Sequence, residues 1–305
     1  MNIKIFTHLM PWELDDAFQT FNKIALSQKY INPEDTLYIE TCLNLSDYII
    51  DWSKSELPKK FFIEKYEYIS QALYECNHKT HIYQGDKLYG HLDFQREVIE
   101  PHIDYYMPSS PDIYFHQHAI FYLIEGAKCI KDDYFLITPE IPKLWDSSWD
   151  LLTNKNFKND EHSNWRNQSI YDIIYISENI KESPRIEKLN DFKLAGWLDL
   201  YSKNFYEKLV PTFDDWHGYG PWDYFGIIVS KIAKDKFNVN INQYVLRNQV
   251  IFDKDIGIFQ NKKTPNLYKK YLYMNDVPNQ RKEFEAKFDE YLTRWMVYAK
   301  NNKII

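Results

Sequence analysis

The chain has 305 residues, enough for one large domain or two small ones with a sizeable core. A hydrophobic fraction of 44 % with 17 % aromatic residues excludes a disordered chain, and no run reaches the ~18 apolar residues that a membrane-spanning helix needs. The net charge of −7 is uneven: residues 260–305 carry ten Lys/Arg against five Asp/Glu, which leaves −12 on the rest and gives the acidic body a basic tail, either a solvated helix face or a surface for phosphates.

Three widely spaced cysteines, Cys42, Cys76 and Cys129, form neither a disulfide framework nor a zinc pattern. They read as buried thiols in a reducing compartment. The N-terminal stretch starts a strand at once and has no signal-peptide apolar core, so a cytoplasmic location is expected.

Residues Asn2–Thr7 alternate as a strand does, and His8-Leu9-Met10-Pro11-Trp12 breaks it. Glu13–Gln28 carries Leu14, Ala17, Phe18, Phe21, Ile24 and Ala25 at helical spacing. Asn32-Pro33-Glu34-Asp35 is a turn, and Thr36–Leu45 is a second strand ending at Asn44-Leu45-Ser46-Asp47. Lys59–Cys76 reads as a helix, Lys79–Tyr83 as a strand, and His91–Ile99 as a helix. Tyr105-Tyr106-Met107 is a short apolar strand that runs into the break Pro108-Ser109-Ser110-Pro111-Asp112. Phe115–Ile130 then reads as a helix and Asp133–Thr138 as a strand. On that helix His116 and His118 would diverge, which discounts them as a metal pair.

This alternation predicts an α/β fold with a mostly parallel sheet and helices on both faces. Pro139–Lys188 lacks periodicity and reads as long loops. Asp191–Leu209 looks helical. The Gly-, Trp- and Pro-rich loop Trp216–Asp223 opens another helix, Val239–Ile258 is strand material, and Glu283–Lys300 is an amphipathic helix. The expected organisation is a main body over 1–235 and a strand/helix extension over 236–305, packed on the same domain.

The chain has no G-x-G-x-x-G after its first strand, no G-x-x-x-x-G-K and no G-x-S-x-G. Hydride transfer, P-loop phosphotransfer and serine hydrolysis are therefore disfavoured. Asp112 is the residue that draws attention instead. A carboxylate at the carboxyl end of a strand in an open α/β sheet lies where the crevice opens, although the same residue type is a common turn former or helix cap.

Three features in order, Gly90–Glu97 with Arg96, then Tyr105–Met107 running into Ser110-Pro111-Asp112, then Trp216-His217-Gly218-Tyr219-Gly220-Pro221-Trp222-Asp223, resemble the GT-A fold glycosyltransferases over roughly residues 1–235. That resemblance implies a GT-A-like, Rossmann-related sheet and transfer of a hexosyl or pentosyl group from a nucleoside-diphosphate sugar, such as a UDP-sugar, to an acceptor hydroxyl. Asp112 takes the last acidic position of the family's D-x-D element, and Ser110 stands where the first would be. A full D-x-D holds a divalent cation, Mn or Mg, with hard oxygen ligands. With one carboxylate and one hydroxyl, a basic side chain neutralising the diphosphate is the alternative, and the metal becomes dispensable. His217 is a further metal candidate.

The resemblance further places Thr7, Pro11 and Asn44 at the nucleotide and Arg96 toward the phosphates. Asp223 is the implied general base of an inverting transfer, walled by Trp216, Tyr219 and Trp222. Trp145, Asp146 and Trp149 would frame the sugar or the acceptor. The acceptor is a saccharide or, if the chain is viral and works in a host's cytoplasm, a hydroxymethylated base in DNA. A catalytically silent nucleotide-sugar-binding domain is the other reading that the serine at position 110 leaves open.

Overall fold

The computed structural model describes residues 1–140, 183–189, 198–209, 241–253 and several helical positions of 290–301. The first 140 residues build β1 (Asn2–Leu9), α1 (Leu14–Gln28), β2 (Thr36–Asn44), α2 (Lys59–Ser70), β3 (Asn77–Tyr83), α3 (His91–Glu97), β4 (Tyr105–Pro108), β5 (Ile113–Phe115), α4 (Ala119–Cys129) and β6 (Phe135–Glu140). Further along come β7 (Arg185–Lys188), β8 (Leu200–Ser202), α5 (Lys203–Leu209) and β9 (Asn242–Asp253).

The strands join in the order β3-β2-β1-β4-β8-β6-β9-β5, with β7 also on β9. The ladders β1–β2, β2–β3, β1–β4 and β6–β9 are parallel, and β8 runs antiparallel between β4 and β6. The result is the mostly parallel sheet that the alternation of elements implies. β9 lies beyond residue 235 and makes its ladders to β5, β6 and β7. A register shift interrupts β9 opposite Pro139 and Glu140, and Asn248 there takes a left-handed φ of 64°, a conformation that asparagine tolerates better than most residues.

The two faces of β1–β2–β3 differ in chemistry. Successive side chains alternate across a strand, and paired residues share a face. Ile3, Ile5 and Leu9 therefore lie with Leu37, Ile39 and Leu43, and this face packs on Phe21 and Ile24 of α1 and Phe62 and Tyr66 of α2. The spacing of Leu14, Ala17, Phe21 and Ile24 puts them on one stripe of α1, which is why that stripe is buried.

The opposite face carries Lys4, Phe6 and His8, then Glu40, Cys42 and Asn44, then Lys79, His81 and Tyr83. It is covered as well. Phe94 of α3 sits edge-on to Phe6 and His81, and Tyr206 of α5 sits edge-on to Phe6. Burying this face requires its polar groups to pair with one another.

Four expectations change. The helix read from Phe115 begins at Ala119, because Ile113–Phe115 is an edge strand paired with β9. Among the described residues of the helix read from Asp191, Leu200–Ser202 is strand β8 and Lys203–Leu209 is helix. The loop region to Lys188 closes on a strand, β7. Of the three thiols only Cys42 is buried, where loss of solvent pushes it up to about 12; Cys76 is half-buried and Cys129 is exposed. Strands of three or four residues are too short to show a period of two.

Candidate functional site

The carboxyl ends of β1 and β2 and the loop after β3 are tied together by side-chain amide and hydroxyl groups. Asn44, the last residue of β2, donates from Nδ2 to the Tyr89 carbonyl at 2.7 Å, and its Oδ1 accepts from the Ser46 amide at 2.9 Å. These two bonds fix the orientation of the amide. The same Nδ2 lies 3.2 Å from His8 Nε2, so that nitrogen accepts and the imidazole carries its proton on Nδ1. Ser46 Oγ donates to the Lys87 carbonyl, and the Leu45 and Asp47 amides donate to the carbonyls of Tyr83 and Gly85. The loop after β3 is thereby stitched over the end of β2.

His8 is buried, and its ring lies 5.6 Å from that of His91 at the start of α3. Burial first, and then the neighbouring His91, hold His8 well below the ordinary imidazole range. His91 is only partly covered by area, yet the atoms packed around its ring lower it to about 4 by desolvation. Both rings are neutral at physiological pH. Tyr89 stacks on Tyr83 with centroids 4.0 Å apart and donates its hydroxyl to Glu97 at 2.9 Å; burial, then the acidic neighbours, raise its phenol.

Asp93 organises the first turn of α3. Its Oδ2 accepts from the Gly90 amide at 2.6 Å, and its Oδ1 accepts from Arg96 Nη1 at 3.0 Å. The guanidinium is therefore held on the helix by a carboxylate three residues back.

The break after β4 is pinned from two sides. The Ser109 amide donates to the Phe6 carbonyl, and Ser109 forms an isolated bridge with Leu198. Thr20 Oγ1 of α1 lies 2.7 Å from the Pro111 carbonyl and 3.0 Å from that of Ile113, so one hydroxyl brackets Asp112. Asp112 is 9 % exposed. Ser110 is half-buried beside it.

The six described site candidates thus sit at or just beyond strand ends, or on α3. Their side chains differ in placement. Thr7 faces the apolar side with Ile5 and Leu9, and its buried Oγ1 has no hydrogen-bond partner. Pro11 is buried in the short 3-10 turn after β1. Asn44 spends its amide on the loop, whereas Arg96, Ser110 and Asp112 reach partial solvent or the break. Trp145, Asp146, Trp149, Trp216, His217, Tyr219, Trp222 and Asp223 lie outside the described residues. His8, Tyr89, His91 and Asp93 were not singled out by sequence; the only local signal was the three-residue spacing of Asp93 and Arg96. His116 and His118 precede α4 rather than sitting within it, with rings 4.9 Å apart.

For a divalent cation the described residues offer one carboxylate, Asp112, and one hydroxyl, Ser110. No three His, Cys, Asp or Glu side chains converge among the described residues. Mg or Mn prefers a hard oxygen set with carboxylates and phosphates, and this donor pair by itself does not fit one. No helix among the described residues is long and apolar enough to cross a membrane.

No protein-family model matches the chain, and no curated protein matches it in sequence. Solved structures do resemble it in shape. A mycobacterial protein matches 80 % of this chain and 65 % of its own, at 10 % identity and a TM-score of 0.43. TarS residues 1–349 of S. aureus, in complex with UDP-GlcNAc, matches 83 % of this chain and 58 % of its own, at 10 % identity and a TM-score of 0.44. GalNAc-T7, with UDP, GalNAc and Mn2+, matches 83 % of this chain and 44 % of its own, at 12 % identity and a TM-score of 0.45. The chain therefore spans between 44 % and 65 % of the length of these three structures.

Proposed function

We propose that this chain is a glycosyltransferase that moves a sugar from a nucleoside-diphosphate sugar, a UDP-sugar in the leading form, to an acceptor hydroxyl. The observation that carries the reading is the placement of Asp112. It is a nearly buried carboxylate at the crevice end of parallel strand β4, and α1 pins the backbone on both sides of it. In this reading Asn44 and the ends of β1 and β2 shape the nucleotide pocket, and Arg96 faces the diphosphate. A basic side chain, with Arg96 the described candidate, would neutralise the leaving diphosphate.

Asp223 takes the role of general base in an inverting, single displacement. It removes the acceptor proton as the hydroxyl oxygen attacks the anomeric carbon and the diphosphate departs. A saccharide acceptor is the first choice and a hydroxymethylated DNA base the second. Residence in the cytoplasm belongs to the same proposal. The serine at position 110 favours one rival, a sugar-nucleotide-binding domain without turnover.

Calorimetric titration with UDP-GlcNAc tests the donor site. The Asp112→Ala variant is expected to bind at least ~10-fold more weakly, in line with loss of a charge-assisted contact. Unchanged affinity overturns the assignment. Release of free sugar from the donor, present in the wild type and absent in Asp223→Asn, separates an enzyme from a silent domain.

A further inference from the structure

One buried contact at the carboxyl end of β1 tolerates a single protonation state. His8 is 6 % exposed, and its Nε2 faces the Asn44 Nδ2 at 3.2 Å. The amide cannot turn to offer its oxygen instead. Its Nδ2 also donates to the Tyr89 carbonyl and its Oδ1 accepts from the Ser46 amide, so a flip would set oxygen against oxygen and N–H against N–H. A proton on His8 Nε2 would therefore meet an N–H hydrogen. Turning the ring over gives no relief, because it brings the Cε1–H to the same place.

Among the described residues, no carboxylate pairs with this ring to balance an imidazolium. From α3, the neutral ring of His91 faces it at 5.6 Å, the Asp93 carboxylate is engaged by the Gly90 amide and Arg96, and Glu97 accepts from the Tyr89 hydroxyl. From β2 and the loop after β3 come the Cys42 thiol and the Tyr89 phenol, both pushed up by burial and uncharged. On β1 itself Lys4 is taken by Glu40 and Glu100, and His81 of β3 lies beyond Phe94 and bonds Glu40.

Asn44 is also the residue that fastens the loop after β3 to the end of β2. Around it, Ser46 Oγ donates to the Lys87 carbonyl, and the Leu45 and Asp47 amides donate to the carbonyls of Tyr83 and Gly85. An Asn44 side chain driven away from the ring loses the Tyr89 carbonyl and the Ser46 amide together. We infer that the His8–Asn44 pair is an acid-sensitive latch: protonation of His8 displaces Asn44 and releases residues 84–89 from the end of β2 before the sheet itself unfolds. The inference rests on the fold alone and is independent of the donor reading.

The closed form excludes the proton, and the open form takes it up near the ordinary imidazole value of about 6.5. The latch is therefore complete above that value and weakens as pH falls, with opening about 10-fold more frequent at pH 5.5 than at pH 7.5 for one proton. Hydrogen exchange of the Leu45, Ser46 and Asp47 amides, referred to the intrinsic rate at each pH, reads this opening, and the amides of β1 and α1 report global unfolding. The expected pattern is a 10-fold loss of protection at the three loop amides over that interval, with the β1 and α1 amides better protected at every pH. His8→Phe, which keeps a ring but cannot titrate, should abolish the pH response, and His91→Phe should retain it. Loop amides that keep their protection at pH 5.5, or that share the protection and the pH dependence of β1, overturn the inference in the wild-type protein alone. A response that persists in His8→Phe overturns it as well.

Discussion

Lys4 Nζ lies 2.5 Å from Glu40 Oε1 across β1 and β2, with the lysine side chain wholly out of solvent. Glu100 closes the other side at 2.8 Å, and Lys79 and His81 reach Glu40 at 3.5 and 3.2 Å. The network is what allows a charged face of the sheet to be covered by α3 and α5. Removing one member strands a buried charge, which costs about 3–5 kcal/mol, whereas removing the pair together costs much less. Lys4→Met is therefore expected to lose about 3 kcal/mol in urea denaturation. The double variant Lys4→Met, Glu40→Leu should recover part of that loss, and a double variant no more stable than the single one would contradict the pairing.

Acid should lower the stability of the fold over two successive pH ranges. Burial alone would raise Glu40, but hydrogen bonds from His81 and Lys4 and the charges of Lys4 and Lys79 outweigh it and bring the carboxyl to about 2, against 4.5 for an unperturbed glutamate. A depressed carboxyl stabilises the fold above the unfolded value, so this contribution is complete above 4.5 and drains away as pH falls toward 2. Glu100, lowered chiefly by its hydrogen bond from Lys4, acts in the same direction.

The desolvated imidazoles act earlier. His8, His78 and His91 are depressed chiefly by burial, the latter two to about 4, whereas the unfolded chain protonates near 6.5. Their contribution is complete above 6.5 and declines as pH falls toward 4. At pH 5 unfolding should take up about three protons, one per ring. Calorimetry in buffers of different ionisation enthalpy counts them, and an uptake below one would contradict the desolvation of these rings.

How far the sequence reveals this architecture depends on element length and on what covers each face. The apolar spacing of Leu14, Ala17, Phe21 and Ile24 marks α1 plainly, and the alternation of β1, α1, β2, α2 and β3 implies the parallel half of the sheet. The alternation of Lys4, Phe6 and His8 with Ile3, Ile5 and Thr7 ordinarily marks a face open to water. Here α3 and α5 cover that face, and partners distant in sequence, on β2, on β3 and at Glu100, make the covering tolerable. The three-residue strands β5 and β8 are set by pairing with β9, β4 and β6, and no local pattern announces them. Asp112 is legible as a carboxylate at a strand end. The loop bonds of Asn44 and the placement of His8 against it depend on contacts tens of residues away in the chain and leave no local trace.

Gly126 of α4 tests the packing of β7. A Cβ at this position would lie 2.5 Å from Ile186 Cδ1 and 2.7 Å from its Cγ1. Ile186 is a side chain and can give way in part, so Gly126→Ala should cost about 1–2 kcal/mol rather than abolish folding. Adding Ile186→Ala removes both offending atoms. The combined variant should be destabilised by less than the sum of the two single changes in thermal denaturation, and strict additivity would argue against this contact.

Thr20 offers the sharpest link between the fold and the candidate site, because its hydroxyl belongs to α1 and its acceptors flank Asp112. The Oγ1 can donate one proton, shared between the carbonyls of Pro111 at 2.7 Å and Ile113 at 3.0 Å. Thr20→Val keeps the shape and removes the donor, which leaves two buried carbonyls poorly satisfied at a cost of about 1–3 kcal/mol. The same change frees the break to shift, and a carboxylate that accepts from a hydroxyl of the donor nucleotide loses effect when displaced by a fraction of an ångström. We expect the melting temperature to fall and affinity for UDP to drop severalfold, with Thr20→Ser restoring both. Thermal unfolding and calorimetry on the three proteins check this. A stability loss with unchanged UDP affinity would show that the hydroxyl supports the fold but does not position Asp112.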